Sequence, residues 1–255
     1  MTRALVVIGC GGLAYHCIPN VLAAVGPVEQ IVLADGDTVE EHNAVRQWQA
    51  VGENKADCAG GLVESLLSDT SLDTVGVESV EAMVTAANIE DCFRWVGQAE
   101  EIVVLVLPDN HTCRVFVHTW LTAYARRMGD RVVIHEIVAG NDPEAGWCYT
   151  SMMNGETLAG DWMYWHPDIQ EGADAEARGD APQQVVSCAA ELQSRFSNSQ
   201  TGVLIGEAVG RCLAQDGQYM FYWRKEKREG RPDSVQVRTW AERYLLKPEQ
   251  TERTV

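Results

Sequence analysis

A glycine turn near the start of the chain constrains its fold more than any other feature. Residues 3–8 (RALVVI) are short, apolar and rich in β-branched side chains, which predicts a buried strand. Gly9-Cys10-Gly11-Gly12 follows, then a helical stretch from about Leu13 to Ala24 and a second apolar strand at 30–34 (QIVLA) that ends on Asp35. Strand, tight turn, helix and strand form a βαβ unit, so the sheet starts parallel.

The pattern then repeats. A helix is predicted from Lys55 to Leu67, a strand at 73–79 (DTVGVES) and a helix over 80–96 carrying Met83, Ile89, Phe93 and Trp95. Residues 101–107 (EIVVLVL) are the strongest buried strand, stopped by Pro108, and a helix from about His111 to Met128 leads to a strand at 131–138. The expected fold class is α/β: a Rossmann-like, doubly wound, mainly parallel sheet, with ligands outside the carboxyl ends of the strands.

Beyond Gly140 the pattern changes. Residues 146–150 predict a short antiparallel strand, and residues 217–224 and 234–241 predict two more around the charged turn KEKREGRPD. Residues 167–184 are acidic and poor in large apolar groups, which predicts a mobile surface loop. A long amphipathic helix is expected from about Ala189 to Ala214, and a frayed tail after Lys247. Residues 1–140 are the expected nucleotide-binding half. Residues 141–255 are expected to complete the same domain.

Charge narrows the partners. Thirty-seven acidic residues face 20 basic ones, a net charge of −17, and such a surface repels nucleic acid and anionic lipid. The apolar run after Arg3 breaks at Gly9, Gly11 and Gly12, so it is not read as a signal peptide. With no uninterrupted run of 18 apolar residues, no membrane helix is expected and a cytoplasmic location is. Eight cysteines are scattered without a C-x-x-C pair, which argues for small buried hydrophobes and against a structural zinc site.

The glycine turn alone does not name its ligand. Free N–H donors and the positive end of the helix dipole suit a phosphate, and Asp35 suits ribose hydroxyls, as much for NAD or FAD as for ATP. The stretch Asp35-Gly36-Asp37-Thr38-Val39-Glu40-Glu41-His42-Asn43-Ala44-Val45-Arg46-Gln47 decides between them. It resembles the D-x-D-x-V-E-x-x-N-x-x-R-Q block of the ThiF/MoeB/HesA family of ubiquitin-activating-like adenylating enzymes. Lys55, within Gly52-Glu53-Asn54-Lys55-Ala56, falls where that family has its nucleotide lysine, and Asp109-Asn110 with Arg114 matches its D-N-x-x-x-R. The resemblance covers roughly residues 4–140.

It implies ATP-dependent adenylation of a carboxyl group, most naturally the C-terminus of a small ubiquitin-like (β-grasp) carrier protein, by a homodimer. Gly9, Gly11, Gly12, Asp35, Asp37, Asn43, Gln47 and Asn110 would hold the nucleotide. Arg46 and Lys55 would neutralise phosphate charge, with Asp109 holding magnesium. Each residue also has a plainer reading. Arg46 and Lys55 fit exposed helix charges, Asp109-Asn110 fits a helix cap, and the glycines fit any tight turn.

Ser187-Cys188-Ala189-Ala190-Glu191 is similar to the S-C-x-E/A segment that opens a helix in ThiF and MoeB, which makes Cys188 a candidate nucleophile. A helix dipole favours its thiolate, and nearby carboxylates such as Glu191 oppose it. The alternative is a packed helix-cap thiol. Ser197-Asn198-Ser199-Gln200 followed by Ala208 looks like the divergent ThiF-like proteins of PRTRC gene systems. Two departures stand out: the paired zinc cysteines of MoeB are missing, and Arg3 lies too near the first strand to replace an N-terminal arginine given to a partner's site. Adenylation of a peptide or small carboxylate, and a non-catalytic nucleotide-binding scaffold, remain open.

Overall fold

A computed structural model describes residues 1–43, 50–68, 75–179, 195–215, 217–228 and 231–243. Five strands run parallel: β1 (Arg3–Ile8), β2 (Gln30–Ala34), β3 (Gly76–Val80), β4 (Glu101–Val106) and β5 (Val133–Asn141). The chain then turns back antiparallel through β6 (Ala145–Asn154), β7 (Thr157–Ala159), β8 (Tyr219–Arg228) and β9 (Arg231–Arg243). The order is β3-β2-β1-β4-β5-β6-β8-β9, with β7 beside β6. The doubly wound, mainly parallel sheet with antiparallel C-terminal strands is therefore the observed fold.

Helices cover both faces because the parallel strands are apolar on both. Leu5 and Val7 of β1 join Val103 and Leu105 of β4 under α1 (Gly12–Val25), α2 (Lys55–Leu67) and α7 (Arg195–Leu213). Ala4, Val6 and Ile8 face the other way with Ile102, Val104 and Val106. These lie under α3 (Ile89–Phe93), α4 (His111–Met128), α5 (Trp162–Trp165) and α6 (Pro167–Arg178). Helix α7 approaches α1 closely: a Cβ on Gly202 would sit 2.8 Å from the His16 carbonyl oxygen.

Several expectations need correction. The helix over 80–96 shrinks to α3, because the Asn88 side chain accepts hydrogen bonds from the Thr85 amide (2.7 Å) and hydroxyl (3.0 Å) and holds the preceding residues in a turn. The described part of the loop expected over 167–184 is helical as α6, Pro167–Arg178, and residues 180–184 lie outside the described residues. Pro167 starts it, Ile169 and Ala173 bury one stripe, and Gly179 ends it in the left-handed region at φ 71°. Two apolar residues four apart were enough to seat a helix that overall composition argued against.

Other boundaries move. The strand at 131–138 lies at β5, after a short 3₁₀ turn at Gly129–Arg131, and that at 146–150 extends to the whole of β6. The strand at 73–79 is seen as β3, residues 73–74 lying outside the described residues. Strands β8 and β9 run well into the charged segment that was expected to be a turn. The helix expected over 189–214 is α7, with residues 189–194 outside the described ones, as is the tail after Lys247. Among the described residues no helix is long and apolar enough to cross a membrane.

Buried charge staples the sheet at two places. At the amino ends of the strands, Glu101 accepts from Arg3 Nε (2.6 Å) and meets His135 Nε2 at 3.1 Å, joining β1, β4 and β5. The hydrogen bond from His135 and the Arg3 guanidinium hold its carboxyl below the usual range. Between α4 and β5, His118 Nδ1 donates to Glu136 at 2.6 Å, and Trp162 Nε1 donates to the same carboxylate oxygen at 2.9 Å. Burial opposes the charged imidazole, but the Glu136 charge and hydrogen bond outweigh it and raise its pKa.

The two staples respond oppositely to pH. The contribution of Glu101 is complete above its unfolded pKa of about 4.3 and is lost as pH falls through its lower folded value. That of His118 is complete below its unfolded value of about 6.5 and is lost as pH rises through its higher folded value. Replacing His118 with Ala leaves a buried carboxylate unpaired, so denaturation at neutral pH should show a loss of about 3–5 kcal/mol. Glu101→Gln should cost roughly 2 kcal/mol at pH 7, and progressively less as pH falls below about 4.

Candidate functional site

The strand order reverses between β1 and β4, and a cavity of about 660 Å³ opens there at the carboxyl ends of the strands. The turn after β1 forms its floor. Gly9 adopts φ 89°, and a Cβ there would lie 2.8 Å from the backbone of Leu107 and Pro108 beyond β4. Only glycine suits both the angle and the gap. Gly11 instead faces open space and heads α1 with no side chain capping it and no acidic residue in the first turn. The first amides of α1 thus open onto the cavity.

Asp35 fixes this turn to the end of β2. One carboxylate oxygen accepts from the Cys10 amide at 2.7 Å and the other from the Asp37 amide at 2.8 Å. Burial nevertheless pushes its pKa up. Asn54 donates to the Asp35 carbonyl at 3.1 Å and caps α2 through Ala56 N (2.7 Å), which places Lys55 at the start of that helix. Lys55 Nζ then lies 2.8 Å from Asp37 Oδ2. The lysine is largely covered while its partner is exposed, so the pair lines the cavity wall and the carboxylate aims the ammonium group.

The opposite wall comes from α4. Asp109 is exposed on the turn after β4, and Asn110 caps α4 by accepting from Cys113 N at 2.7 Å, so its plainer reading as a cap holds. Arg114 is buried, meets His111 Nδ1 at 3.3 Å, donates to the Ala139 carbonyl at 3.4 Å and stacks 5.0 Å over the Trp147 ring. Burial and the Arg114 charge lower the pKa of His111.

Nine candidates therefore meet on one cavity: Gly9, Gly11, Gly12, Asp35, Asp37, Asn43, Lys55, Asp109 and Asn110. Asn43 also accepts from the Glu40 amide at 2.9 Å and so shapes its own turn. Arg46, Gln47 and Cys188 lie outside the described residues. Burial raises the pKa of every described thiol with a resolved shift, including Cys113 on the cavity wall, pushed up to about 11. Cys148 is fully buried and shifted the same way. Arg3 sits at the far end of β1, bonded to Glu101 and to the Val25 carbonyl.

Sequence reading passed over parts of the wall. Trp147 and the turn carrying Met83 and Thr85 gave no local signal, since one sits mid-strand and the other within an expected helix. Arg114 was visible only as a motif position. No three His, Cys, Asp or Glu side chains converge as a metal cage among the described residues. Of the carboxylates that line the cavity, Asp109 stands exposed on the turn after β4, and one such carboxylate suits magnesium arriving on nucleotide phosphates.

The ThiF family matches residues 2–231. The chain belongs to the ThiF family. Among solved structures, this ThiF-family chain is similar to PaaA, with 17% identity and a TM-score of 0.58 over 95% of this chain and 65% of that one. It is also similar to E. coli MccB solved with ATP, with 17% identity and a TM-score of 0.57 over 93% of this chain and 62% of that one. A third is the microcin C7 biosynthetic enzyme MccB in complex with N-formylated MccA, with 17% identity and a TM-score of 0.55 over 93% and 64%. The chain thus spans under two thirds of the length of these structures. No curated protein matches it.

The two glycines make opposite predictions. Gly9→Ala should cost about 2 kcal/mol through backbone strain, a fall of about 4–8 °C in Tm. Gly11→Ala should leave Tm within about 2 °C, because its Cβ meets nothing. Thermal denaturation of both variants checks the contrast.

Proposed function

We propose that this protein adenylates a carboxyl group with ATP. One observation carries the reading: an uncapped glycine turn, the Asp37–Lys55 pair and Asp109 converge on a single cavity at the strand reversal. The reaction joins a carboxylate oxygen to the α-phosphorus and expels pyrophosphate, so it requires concentrated positive charge. Open amides at α1 would hold phosphate oxygens, and Lys55, released from Asp37, would pair with them. Arg46 would add its planar fork and Gln47 an uncharged hydrogen bond. Asp109 would hold magnesium, which would neutralise pyrophosphate charge when bound. Asp35 would reach the ribose through the lone pairs its two amide contacts leave unused.

The carboxyl group is proposed to be the C-terminus of a small ubiquitin-like carrier, with onward transfer to Cys188. Similarity to MccB, solved with N-formylated MccA, supports a second reading in which a peptide or small carboxylate is adenylated. A homodimer is proposed from family likeness and from Tyr164, which is 55% exposed. Its neighbour Trp162 is fully buried and bonded to Glu136, so it lends no support. The charge of −17 supports a protein without nucleic-acid or anionic-membrane partners, and a cytoplasmic location is proposed from the glycine-broken apolar run after Arg3.

ATP with magnesium should bind more tightly than NAD by calorimetry, and the reverse order sinks the proposal. Pyrophosphate exchange with synthetic peptides ending in Gly-Gly, against other peptides, separates the two substrate readings. Asp109→Ala should lower exchange about a hundredfold in a folded protein, because the side chain is exposed and contributes little packing. Nucleotide binding without exchange on any carboxylate would indicate a scaffold.

A further inference from the structure

Two helix N-termini open onto the cavity, and they are treated differently. At α1 no side chain caps the end and no acidic residue occupies the first turn. At α4 the end is closed twice. Asn110 takes the Cys113 amide, and Glu176 reaches across from α6 to take the two before it: His111 N at 2.9 Å and Thr112 N at 2.8 Å. The Thr112 hydroxyl donates to the same carboxylate at 2.7 Å. Burial opposes the charge on Glu176, yet these donors prevail and its pKa is lowered.

The contact between α6 and α4 is tight. A Cβ on Gly172 would meet the His111 ring at 2.7 Å, and the Thr112 hydroxyl reaches the Ala173 carbonyl at 3.4 Å. His111 in turn touches Arg114, which stacks on Trp147. A cap for α4 alone could have come from its own first turn. This one comes from 64 residues downstream and places a carboxylate beside the cavity.

Both helix ends attract anions for the same physical reason: exposed amides and the positive end of a dipole. A triphosphate entering the cavity would therefore have two places to lodge. We propose that Glu176 is a positioning residue for the nucleotide: by filling the α4 end with its own carboxylate, it reserves the α1 end for phosphate and so sets which way the nucleotide lies. The inference rests on the nucleotide reading of the cavity. It assigns Glu176 no contact with the reacting atoms.

Amide hydrogen exchange, followed residue by residue with and without ATP, tests it. In the unaltered protein ATP should slow exchange at Gly11 and Gly12 at least tenfold and leave His111 and Thr112 unchanged. In Glu176→Gln, which keeps the shape and loses the charge, ATP should newly slow His111 and Thr112 by severalfold. Glu176→Asp, which keeps the charge, should restore the original pattern. A purely structural cap would raise basal exchange at these amides but create no ATP-dependent protection there. A folded Glu176→Gln protein in which ATP protects only Gly11 and Gly12 overturns the proposal. Should that variant not fold, Glu176→Asn is read in the same way. Absence of ATP protection anywhere in the unaltered protein would instead overturn the nucleotide reading, and this inference with it.

Discussion

The site depends on the Asp35 carboxylate. Its two oxygens take one amide from the turn after β1 and one from the turn after β2, so a single side chain sets the spacing of two loops. Asn54 adds a bond to the Asp35 carbonyl and carries α2 into place. Glycine turn, lysine and carboxylate are thereby held by one short hydrogen-bonded network. Its members come from residues 9–55, a stretch compact enough to be written as a motif.

Much of the fold was legible for the same reason that the strands are buried on both faces. Runs such as RALVVI and EIVVLVL leave no polar face for solvent, so helices must follow on each side and the strands must be parallel. The failures share a different cause. The expected helix over 80–96 and the expected loop over 167–184 were decided by a few side chains: Asn88 binding the polar groups of Thr85, and Ile169 with Ala173 burying one stripe of α6. Window averages do not register such contacts.

In the site, the positions that sequence reading found are those with a chemistry of their own: glycines, acids, a lysine. Trp147 and Glu176 escaped because their contribution is relational. Trp147 matters as a plate under Arg114, and Glu176 as a charge at the end of a helix 64 residues upstream. Nothing in the neighbouring residues marks either role.

The central place of β1 bears on how the molecule comes into being. Its pairing with β2 joins residues fewer than thirty apart, as Ala4 does with Gln30, but Ala4 also pairs with Ile102, almost a hundred residues further along the chain than itself. A strand so deep in the sheet is completed late, and long-range parallel pairing is slow because a large loop must close first. During synthesis the glycine turn will leave the ribosome well before Leu107 and Pro108, the backbone against which it closes. Until then an apolar strand edge stands unpaired, open to the wrong neighbour. The floor of the cavity is thus made well before the backbone that finishes it.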